Sequence, residues 1–288
     1  MCSPTIYLVY PSARAREDRV ASGYRLLSSL TTVHVEPPAG SVSYLAGDDH
    51  FRTQALVAAL EDPCCSFIMA ARGGYGVSRL DLARIAPHLG RNPIPLMGFS
   101  DITFLLYFWS AQGVPAFHGP VMTQLADLDG PSRQKTLRLL QTGEWDIDVP
   151  MVPVGAPQAE SLCGPLHGGN LSVLETMIGY PWFPDLTGSL FVLEDINEPP
   201  YKLDRMLTHL LKTTSLAKAR AIILGDFVGC PGWEEVIGEV LGAYPHLTCF
   251  KGFPAGHGEI NHPFALGSPC TLTPHHNGWR LRTIGDQA

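Results

Sequence analysis

The first half of the chain alternates apolar runs with helix-compatible segments, and this alternation constrains the fold more than any other feature. The apolar runs occupy residues 5–9, 33–35, 66–71, 94–96 and 115–117. The helix-compatible segments occupy residues 14–30, 51–60, 77–88, 102–112 and 132–142. Strands that alternate with helices pair in parallel, and helices cover both faces of their sheet. Residues 1–145 are therefore predicted to form an α/β domain with a parallel sheet.

The pattern weakens after this first domain and then resumes. Prolines interrupt residues 146–164, which are predicted to be an extended linker. Residues 165–288 are predicted to form a C-terminal domain that contains both strands and helices. Its predicted strands are residues 189–193, 221–224, 266–272 and 279–284, and its predicted helices are residues 171–178, 201–213 and 233–241.

A Gly-x-Ser sequence, Gly98-Phe99-Ser100, connects one apolar run to a helical segment. Such a turn holds a serine hydroxyl out of the sheet, beside the first N–H groups of a helix. Gly98 is expected to provide the sharp bend. Ser100 is therefore a candidate nucleophile. However, Ile102 occupies the position of the second glycine in the usual motif, and a simple N-cap serine has the same local pattern.

A serine nucleophile needs a base and an acid that orients the base. Among 11 histidines, His257 has a glycine on each side, which is expected to leave the imidazole free to move into place. His118 and His167 also border glycines and are alternative residues for the same cleft. Glu194 ends an apolar strand, where a carboxylate requires a partner. The next residue, Asp195, is predicted to have a capping or surface role.

Other site chemistries fit the sequence less well. His257 and His262 lie five residues apart around Glu259, whereas the zinc-protease motif places its histidines four apart on a helix. The glycine-rich segment of residues 73–76 lacks the lysine and the spacing of a phosphate-binding loop. The sequence therefore predicts no metal site. The N–H groups of the glycine-rich segment are expected to bind an oxyanion or a substrate carbonyl.

The composition limits which kinds of partner and which cellular compartment are expected for this chain. The net charge is −7 and there is no run of lysine or arginine, which argues against a nucleic-acid partner. The seven cysteines show no Cys-x-x-Cys spacing, which favours a reducing compartment over a disulfide framework. We find no leader pattern and no apolar run of about 20 residues. A cytoplasmic protein without a membrane partner is predicted.

Five motifs occur in order along the chain. They are Ala71-Arg72-Gly73-Gly74-Tyr75-Gly76 with Arg79-Leu80, Gly98-Phe99-Ser100-Asp101, Gly168-Gly169-Asn170-Leu171, Leu193-Glu194-Asp195-Ile196-Asn197-Glu198-Pro199-Pro200-Tyr201 and Gly256-His257. Together they resemble the serine LD-carboxypeptidases that trim cytoplasmic murein tetrapeptides. The similarity extends from Tyr7 to about Leu272.

The resemblance implies a Ser-Glu-His triad in which Ser100 is the nucleophile, Glu194 the orienting acid and His257 the base. It also implies an oxyanion hole made by the N–H of Asp101 and that of a loop glycine, for which Gly74 is the expected donor. The family fold would comprise a Rossmann-like N-terminal domain with a parallel sheet and a C-terminal α+β domain with a barrel- or sandwich-like sheet. A homodimer without metal or organic cofactor is expected.

Residues Arg72, Gly73, Tyr75 and Asn170 lie in the shared motifs and are the expected substrate contacts. The sequence does not assign the group that binds the terminal carboxylate of the substrate. The implied reaction is cleavage of the amide between diaminopimelate or lysine and a terminal D-alanine. The alternatives are a peptidase of the same family that confers immunity to a microcin-type antibiotic, and a non-catalytic two-domain protein that binds a small molecule.

Overall fold

The chain divides into two compact units, Met1–Glu144 and Trp145–Ala288. A computed structural model describes residues 3–35, 40, 42–155, 160–276 and 278–284. Each unit has its own sheet and its own buried core.

The N-terminal unit contains a parallel sheet flanked by helices. Its strands are β1 (Thr5–Val9), β2 (Thr32–Val35), β3 (Cys65–Ala70), β4 (Leu96–Gly98) and β5 (Ala116–His118). Its helices are α1 (Glu17–Ser28), α2 (Asp49–Glu61), α3 (Leu82–Leu89), α4 (Thr103–Ala111), α5 (Met122–Leu125) and α6 (Gly130–Thr142). The strands pair in parallel in the order β5-β4-β3-β1-β2. The predicted α/β arrangement with a parallel sheet is confirmed.

Local sequence explains why these elements form. Every residue of β1 is buried, as expected for a strand covered on both faces. Residues 103–109 of α4 are all buried, which explains why this helix is apolar on every side. The side chains of Asp48, Asp81 and Asp129 cap α2, α3 and α6. Because the strands are parallel, the carboxyl ends of β1, β3 and β4 lie along one edge of the sheet, where ligands bind in this class of fold.

The C-terminal unit is built on a closed barrel of seven strands in the order β10-β6-β13-β12-β7-β8-β9. The strands of this unit are β6 (Asp148–Val154), β7 (Leu162–Asn170), β8 (Leu190–Ile196), β9 (Ala221–Val228), β10 (Thr248–Lys251), the short β11 (Phe264–Ala265), β12 (Ser268–His275) and β13 (Gly278–Thr283). Its helices are α7 (Leu171–Thr176), α8 (Pro200–Thr213) and α9 (Trp233–Gly242). The expected α+β domain with a barrel-like sheet is confirmed.

The predicted linker at residues 146–164 is wrong where the structure describes it. Strand β6 lies inside this range and pairs antiparallel with both β10 and β13. Along β6, Val149 and Met151 are buried while Pro150 and Val152 are exposed, so the two-residue alternation of a strand is present. Two prolines hid this alternation, because proline usually signals the absence of a strand interior.

Candidate active site

Ser100 lies at the end of β4 in a strained backbone conformation. It begins a short 3-10 turn, Ser100–Ile102, that leads directly into α4. The φ angle of Ser100 is 62°, a left-handed value that residues with side chains rarely adopt. Strain of this kind persists only where the surrounding structure enforces it, and it is common at active sites. The strand, turn and helix expected around Ser100 are present in the structure.

Gly98 does not provide the bend that was predicted for it. The bend is made by Ser100 itself, and Gly98 does not adopt a positive φ. A Cβ atom on Gly98 would lie 2.7 Å from Cγ2 of Ile102. The missing side chain therefore makes room for Ile102, which replaces the second glycine of the usual motif.

The glycine-rich loop of residues 72–76 packs directly against the candidate nucleophile. A Cβ atom on Gly73 would lie 2.9 Å from Cβ of Ser100 and 3.1 Å from its Oγ. Within the described residues, the N–H groups of Gly73, Gly74 and Asp101 donate to no protein acceptor. Unused N–H donors beside a serine hydroxyl are the groups that an oxyanion hole requires.

The carboxylate of Asp101 joins three segments of the N-terminal unit. It accepts hydrogen bonds from the hydroxyl of Ser12, beyond β1, and from the N–H of Val77, 3.1 Å away, after the glycine-rich loop. Asp101 is buried, and burial raises its pKa above the usual value despite these donors. The side chain of Asp101 thus connects the turn of Ser100 to the loop beside it.

A buried arginine supports the same loop from another side. Arg52 on α2 is fully buried, and its Nη1 donates to the carbonyl oxygens of Pro11 and Gly76 at 2.6 and 2.8 Å. Its Nη2 pairs with Asp49. A buried guanidinium needs such partners, so Arg52 fixes the end of the loop at Gly76.

Two expected substrate contacts lie at the exposed part of this loop. The Nη1 of Arg72 donates to the carbonyl oxygen of Arg14 at 2.6 Å. Tyr75 is 49% exposed, and its ring lies 5.8 Å from that of Tyr44, measured between centroids. The two ring planes are tilted by 58°, so the pair presents exposed aromatic faces in two orientations.

In the C-terminal unit, the structure brings Glu194 and His257 together. Oε2 of Glu194 lies 2.8 Å from Nδ1 of His257, although 63 residues separate them in sequence. The Glu194 side chain is fully buried, whereas the His257 side chain is 14% exposed. A carboxylate at Nδ1 stabilises the tautomer that carries its proton there, so that Nε2 is left to accept a proton.

Charge around His257 favours its protonated form. Burial lowers the pKa of His257, but the hydrogen bond and charge of Glu194, with the charges of Asp195 and Asp226, raise it above its ordinary value. A raised pKa makes the imidazole a stronger base. The site is therefore suited to proton transfer.

A β-bulge sets the position of the acids. Leu193 pairs with Leu224 and Asp195 pairs with Phe227, so that Gly225 and Asp226 on β9 stand opposite the single residue Glu194 on β8. Bulges re-aim side chains and are frequent beside active sites. The bulge brings carboxylates from two strands to one place.

The glycines that flank His257 pack closely against acidic side chains. A Cβ atom on Gly256 would lie 3.0 Å from Cβ of Asp226 and 3.2 Å from Oε2 of Glu194. A Cβ atom on Gly258 would lie 2.5 Å from Oδ2 of Asp226. The flanking glycines therefore let the loop that carries His257 approach both acids.

Asp195 and Asn170 form a capping network at the start of α7. Asp195 accepts hydrogen bonds from Nδ2 of Asn170 at 3.0 Å and from the N–H of Ser172 at 2.9 Å. Asn170 in turn accepts from the N–H of Val173. Burial, and next the charge of Glu194, raise the pKa of Asp195 to about 7. The capping role of Asp195 is present, but at 1% exposure it is not at the surface.

The two alternative histidines lie in separate units, His118 fully buried and His167 partly buried. His118 ends β5 and lies edge-on to Phe99, with 6.0 Å between ring centroids. His167 lies in β7, where burial lowers its pKa to about 4. A histidine with this pKa is neutral near pH 7 and is a weak base.

The described ranges contain neither a metal cluster nor a membrane-spanning helix. No group of three or more His, Cys, Asp and Glu side chains there is arranged to hold a metal ion. No helix in those ranges has both the length and the apolar character needed to span a bilayer.

Sequence reasoning missed Asp226 and Arg52. Asp226 follows Gly225 after an apolar run, and the argument that selected Glu194, an acid at the end of an apolar strand, applies equally to it. Arg52 had no comparable signal, because its helical segment has an ordinary mixture of charged and apolar residues.

Comparison with known proteins agrees with this geometry. The LD-carboxypeptidase N-terminal domain matches residues 6–119, and the LD-carboxypeptidase C-terminal domain matches residues 163–272. A murein tetrapeptide carboxypeptidase of Pseudomonas aeruginosa is 33% identical over 256 residues, which cover 82% of this chain and 81% of the relative. The microcin C7 self-immunity protein of Escherichia coli is 25% identical over 275 residues, which cover 82% and 77%.

A solved structure shares the fold. The muramoyltetrapeptide carboxypeptidase from Oxalobacter formigenes superposes with a TM-score of 0.83 at 24% identity, covering 98% of this chain and 99% of that one. Both domain matches, the extent of the sequence similarity and the shared fold lead to the same assignment. The chain belongs to the LD-carboxypeptidase family and is a carboxypeptidase.

Proposed function

We propose that this carboxypeptidase is a serine enzyme that releases the terminal D-alanine from murein tetrapeptides. Ser100 is the nucleophile, His257 the base and Glu194 the orienting acid. The observation that carries the proposal is the 2.8 Å contact between buried Glu194 and Nδ1 of His257, which prepares a base for a serine. The strained backbone of Ser100, held against Gly73, supports its assignment as that serine.

The proposed reaction has two halves. Nε2 of His257 takes the proton from Oγ of Ser100, and Oγ attacks the carbonyl carbon of the amide that joins diaminopimelate or lysine to D-alanine. His257 then gives the proton to the departing amine, which leaves an ester on Ser100. Water hydrolyses this ester with the same base. Glu194 stabilises the imidazolium in both halves.

Backbone donors of the N-terminal unit are proposed to bind the oxyanion. The N–H groups of Gly74 and Asp101 are the proposed donors. Asp101 follows Ser100 directly, Gly74 follows the glycine that packs against Ser100, and neither N–H has an acceptor among the described residues. One such donor contributes about 3 kcal/mol to stabilising the transition state. Asp101 would act through its backbone, since its carboxylate is already bonded to Ser12 and Val77.

The substrate contacts are also proposals. Arg72 supplies a positive charge close to the loop and is the proposed partner of the terminal carboxylate, with Gly73 and Tyr75 lining the same segment. Asn170 is also a proposed substrate contact, although its buried side chain is bonded to Asp195, Ser172 and Val173. The reaction needs no metal or organic cofactor. We place this activity in the cytoplasm, in peptidoglycan recycling, and propose that the enzyme is a homodimer.

The named relatives support two substrate classes. The Pseudomonas aeruginosa relative is a murein tetrapeptide carboxypeptidase, which favours the proposed reaction. The Escherichia coli relative is a microcin self-immunity protein, which favours a second candidate substrate, an aminoacyl nucleotide. The exposed pair of Tyr44 and Tyr75 offers a surface on which a nucleobase can stack. Because the chain is a carboxypeptidase, the non-catalytic binder considered from the sequence is not a candidate.

One experiment separates these candidates. The protein is incubated with defined tetrapeptides that end in D-alanine and, separately, with an acyl sulfamoyl adenylate, and the products are analysed by mass spectrometry. Loss of a single alanine from the tetrapeptide, absent with Ser100→Ala, supports the proposal. Cleavage of the adenylate alone supports the immunity reaction, and cleavage of neither substrate rejects both proposed substrate classes.

A further inference from the structure

Asp226 is a carboxylate beside His257 that the proposed triad does not use. It lies in β9 within the bulge that faces Glu194. We propose that Asp226 is a positioning residue for His257: it fixes the loop that carries the imidazole and adds a negative charge from a second strand. The catalytic meaning of this inference rests on the proposed function, since an imidazolium forms in turnover only if His257 acts as the base.

Asp226 forms hydrogen bonds with the backbone shortly before and directly after His257 in the sequence. Before His257, the N–H of Asp226 donates to the carbonyl oxygen of Ala255 at 2.9 Å. After His257, the N–H of Gly258 donates to the Asp226 carboxylate. The lack of side chains at Gly256 and Gly258 permits this approach, as their hypothetical Cβ atoms would lie 3.0 and 2.5 Å from atoms of Asp226. One residue thus holds the loop at two points around the imidazole.

The charges around His257 come from two neighbouring strands. The charges of Glu194 and Asp195 act on it from β8, and the charge of Asp226 acts on it from β9. Burial and next the charge of Glu194 raise the pKa of Asp226, while the Gly258 N–H and the charge of His257 lower it. Asp226 and His257 therefore stabilise each other's charged forms, and Glu194 contributes the direct hydrogen bond.

Substitutions separate the two effects of Asp226. Asp226→Asn keeps an oxygen that accepts the Gly258 N–H but removes the charge. Asp226→Ala removes both the charge and the acceptor, and Asp226→Glu keeps the charge. Glu239→Gln is the matched control, because it removes one negative charge from an exposed site on α9. Asp226→Ser is a second neutral variant with a small polar side chain, and it replaces Asp226→Asn in the test if that variant does not fold.

The test is an NMR titration of the imidazole of His257 in the full chain, with its signal assigned by its absence in His257→Gln. We expect Asp226→Asn to lower the pKa of His257 by about one unit. Asp226→Glu and Glu239→Gln should leave that pKa near the wild-type value. Asp226→Ala should lower the pKa and also speed hydrogen exchange of the Gly258 amide. A His257 pKa in the folded neutral variants equal to that in Glu239→Gln would overturn the inference.

Activity measurements show whether the effect reaches catalysis. In Asp226→Asn the acid limb of kcat/KM against pH should move to lower pH by the same amount, and kcat should fall about tenfold with KM unchanged. The titration uses no substrate, so it tests the inference even if the protein does not release D-alanine. A shifted pKa together with no D-alanine release by the wild type would support the role of Asp226 and reject the proposed function.

Discussion

The two units hold their proposed catalytic groups in different ways. Ser100 is held by backbone geometry: a left-handed φ, a glycine in contact with its side chain, and the buried Asp101 that connects its turn to the loop. His257 is held by carboxylates, one in a direct hydrogen bond and another that binds its loop. The first arrangement depends on shape and the second on charge.

This difference predicts different sensitivities. A substitution near Ser100 should act through volume and strain, with little dependence on pH. A substitution near His257 should act through protonation and should shift pH profiles. Preorganised geometry and tuned proton affinity are separate contributions to catalysis, and here they belong to separate units of the chain.

Removal of the nucleophile should have the largest effect. Ser100→Ala is expected to lower kcat for D-alanine release by on the order of 10⁵ or more, because the covalent step is lost while the other groups remain. Mass spectrometry of the tetrapeptide product measures this. The free energy of unfolding should not fall, since alanine has a smaller side chain at an accessible position. D-alanine release within tenfold of the wild-type rate would reject Ser100 as the nucleophile.

Removal of the charge at Glu194 should come next. Glu194→Gln is expected to lower kcat by on the order of 10³ to 10⁴, because the amide neither fixes the tautomer nor stabilises the imidazolium as well. The hydrogen bond and charge of Glu194 raise the pKa of His257, so their loss lowers that pKa. The acid limb of kcat/KM should therefore move to lower pH. An acid limb that moves to higher pH would contradict this account of the C-terminal unit.

An added methyl group at Gly73 tests the role of shape. The new Cβ of Gly73→Ala would lie 2.9 Å from Cβ of Ser100, so it should displace the serine and lower kcat by about 10². The pH profile should keep its shape, in contrast to Glu194→Gln. Gly90→Ala is the matched control, because Gly90 ends α3 with a φ of −67° and has open space around its Cβ position. Equal activity in the two variants would show that contact with Ser100 is unimportant.

The smallest effect is expected on stability. Asp101→Asn should lower the free energy of unfolding by about 1–3 kcal/mol, because a neutral amide oxygen accepts the bonds of Ser12 and Val77 more weakly than Oδ2 of the carboxylate. Ser12→Ala removes only one of these bonds and should cost about 1 kcal/mol. Urea unfolding measures both. A stability of Asp101→Asn equal to that of the wild type would remove Asp101 as a structural connection.

The same contrast explains which features the sequence revealed. The parallel sheet and the turn at Ser100 follow from local patterns, namely apolar periodicity and Gly-x-Ser between a strand and a helix. Glu194 and Asp226 come together through a bulge between two strands that are about 30 residues apart in sequence. The register between such strands cannot be predicted from the local sequence of either one. Strand β6 was missed because its prolines mask an alternating strand.

The central claim is that His257 activates Ser100, and serine-directed labelling tests it most directly. The wild type, His257→Ala and Ser100→Ala are treated with a fluorophosphonate, and the rate and position of modification are measured by peptide mass spectrometry. The account predicts rapid labelling at Ser100 in the wild type and labelling at least 10²-fold slower in His257→Ala. Labelling of Ser100 at the same rate with and without the imidazole of His257 would contradict it.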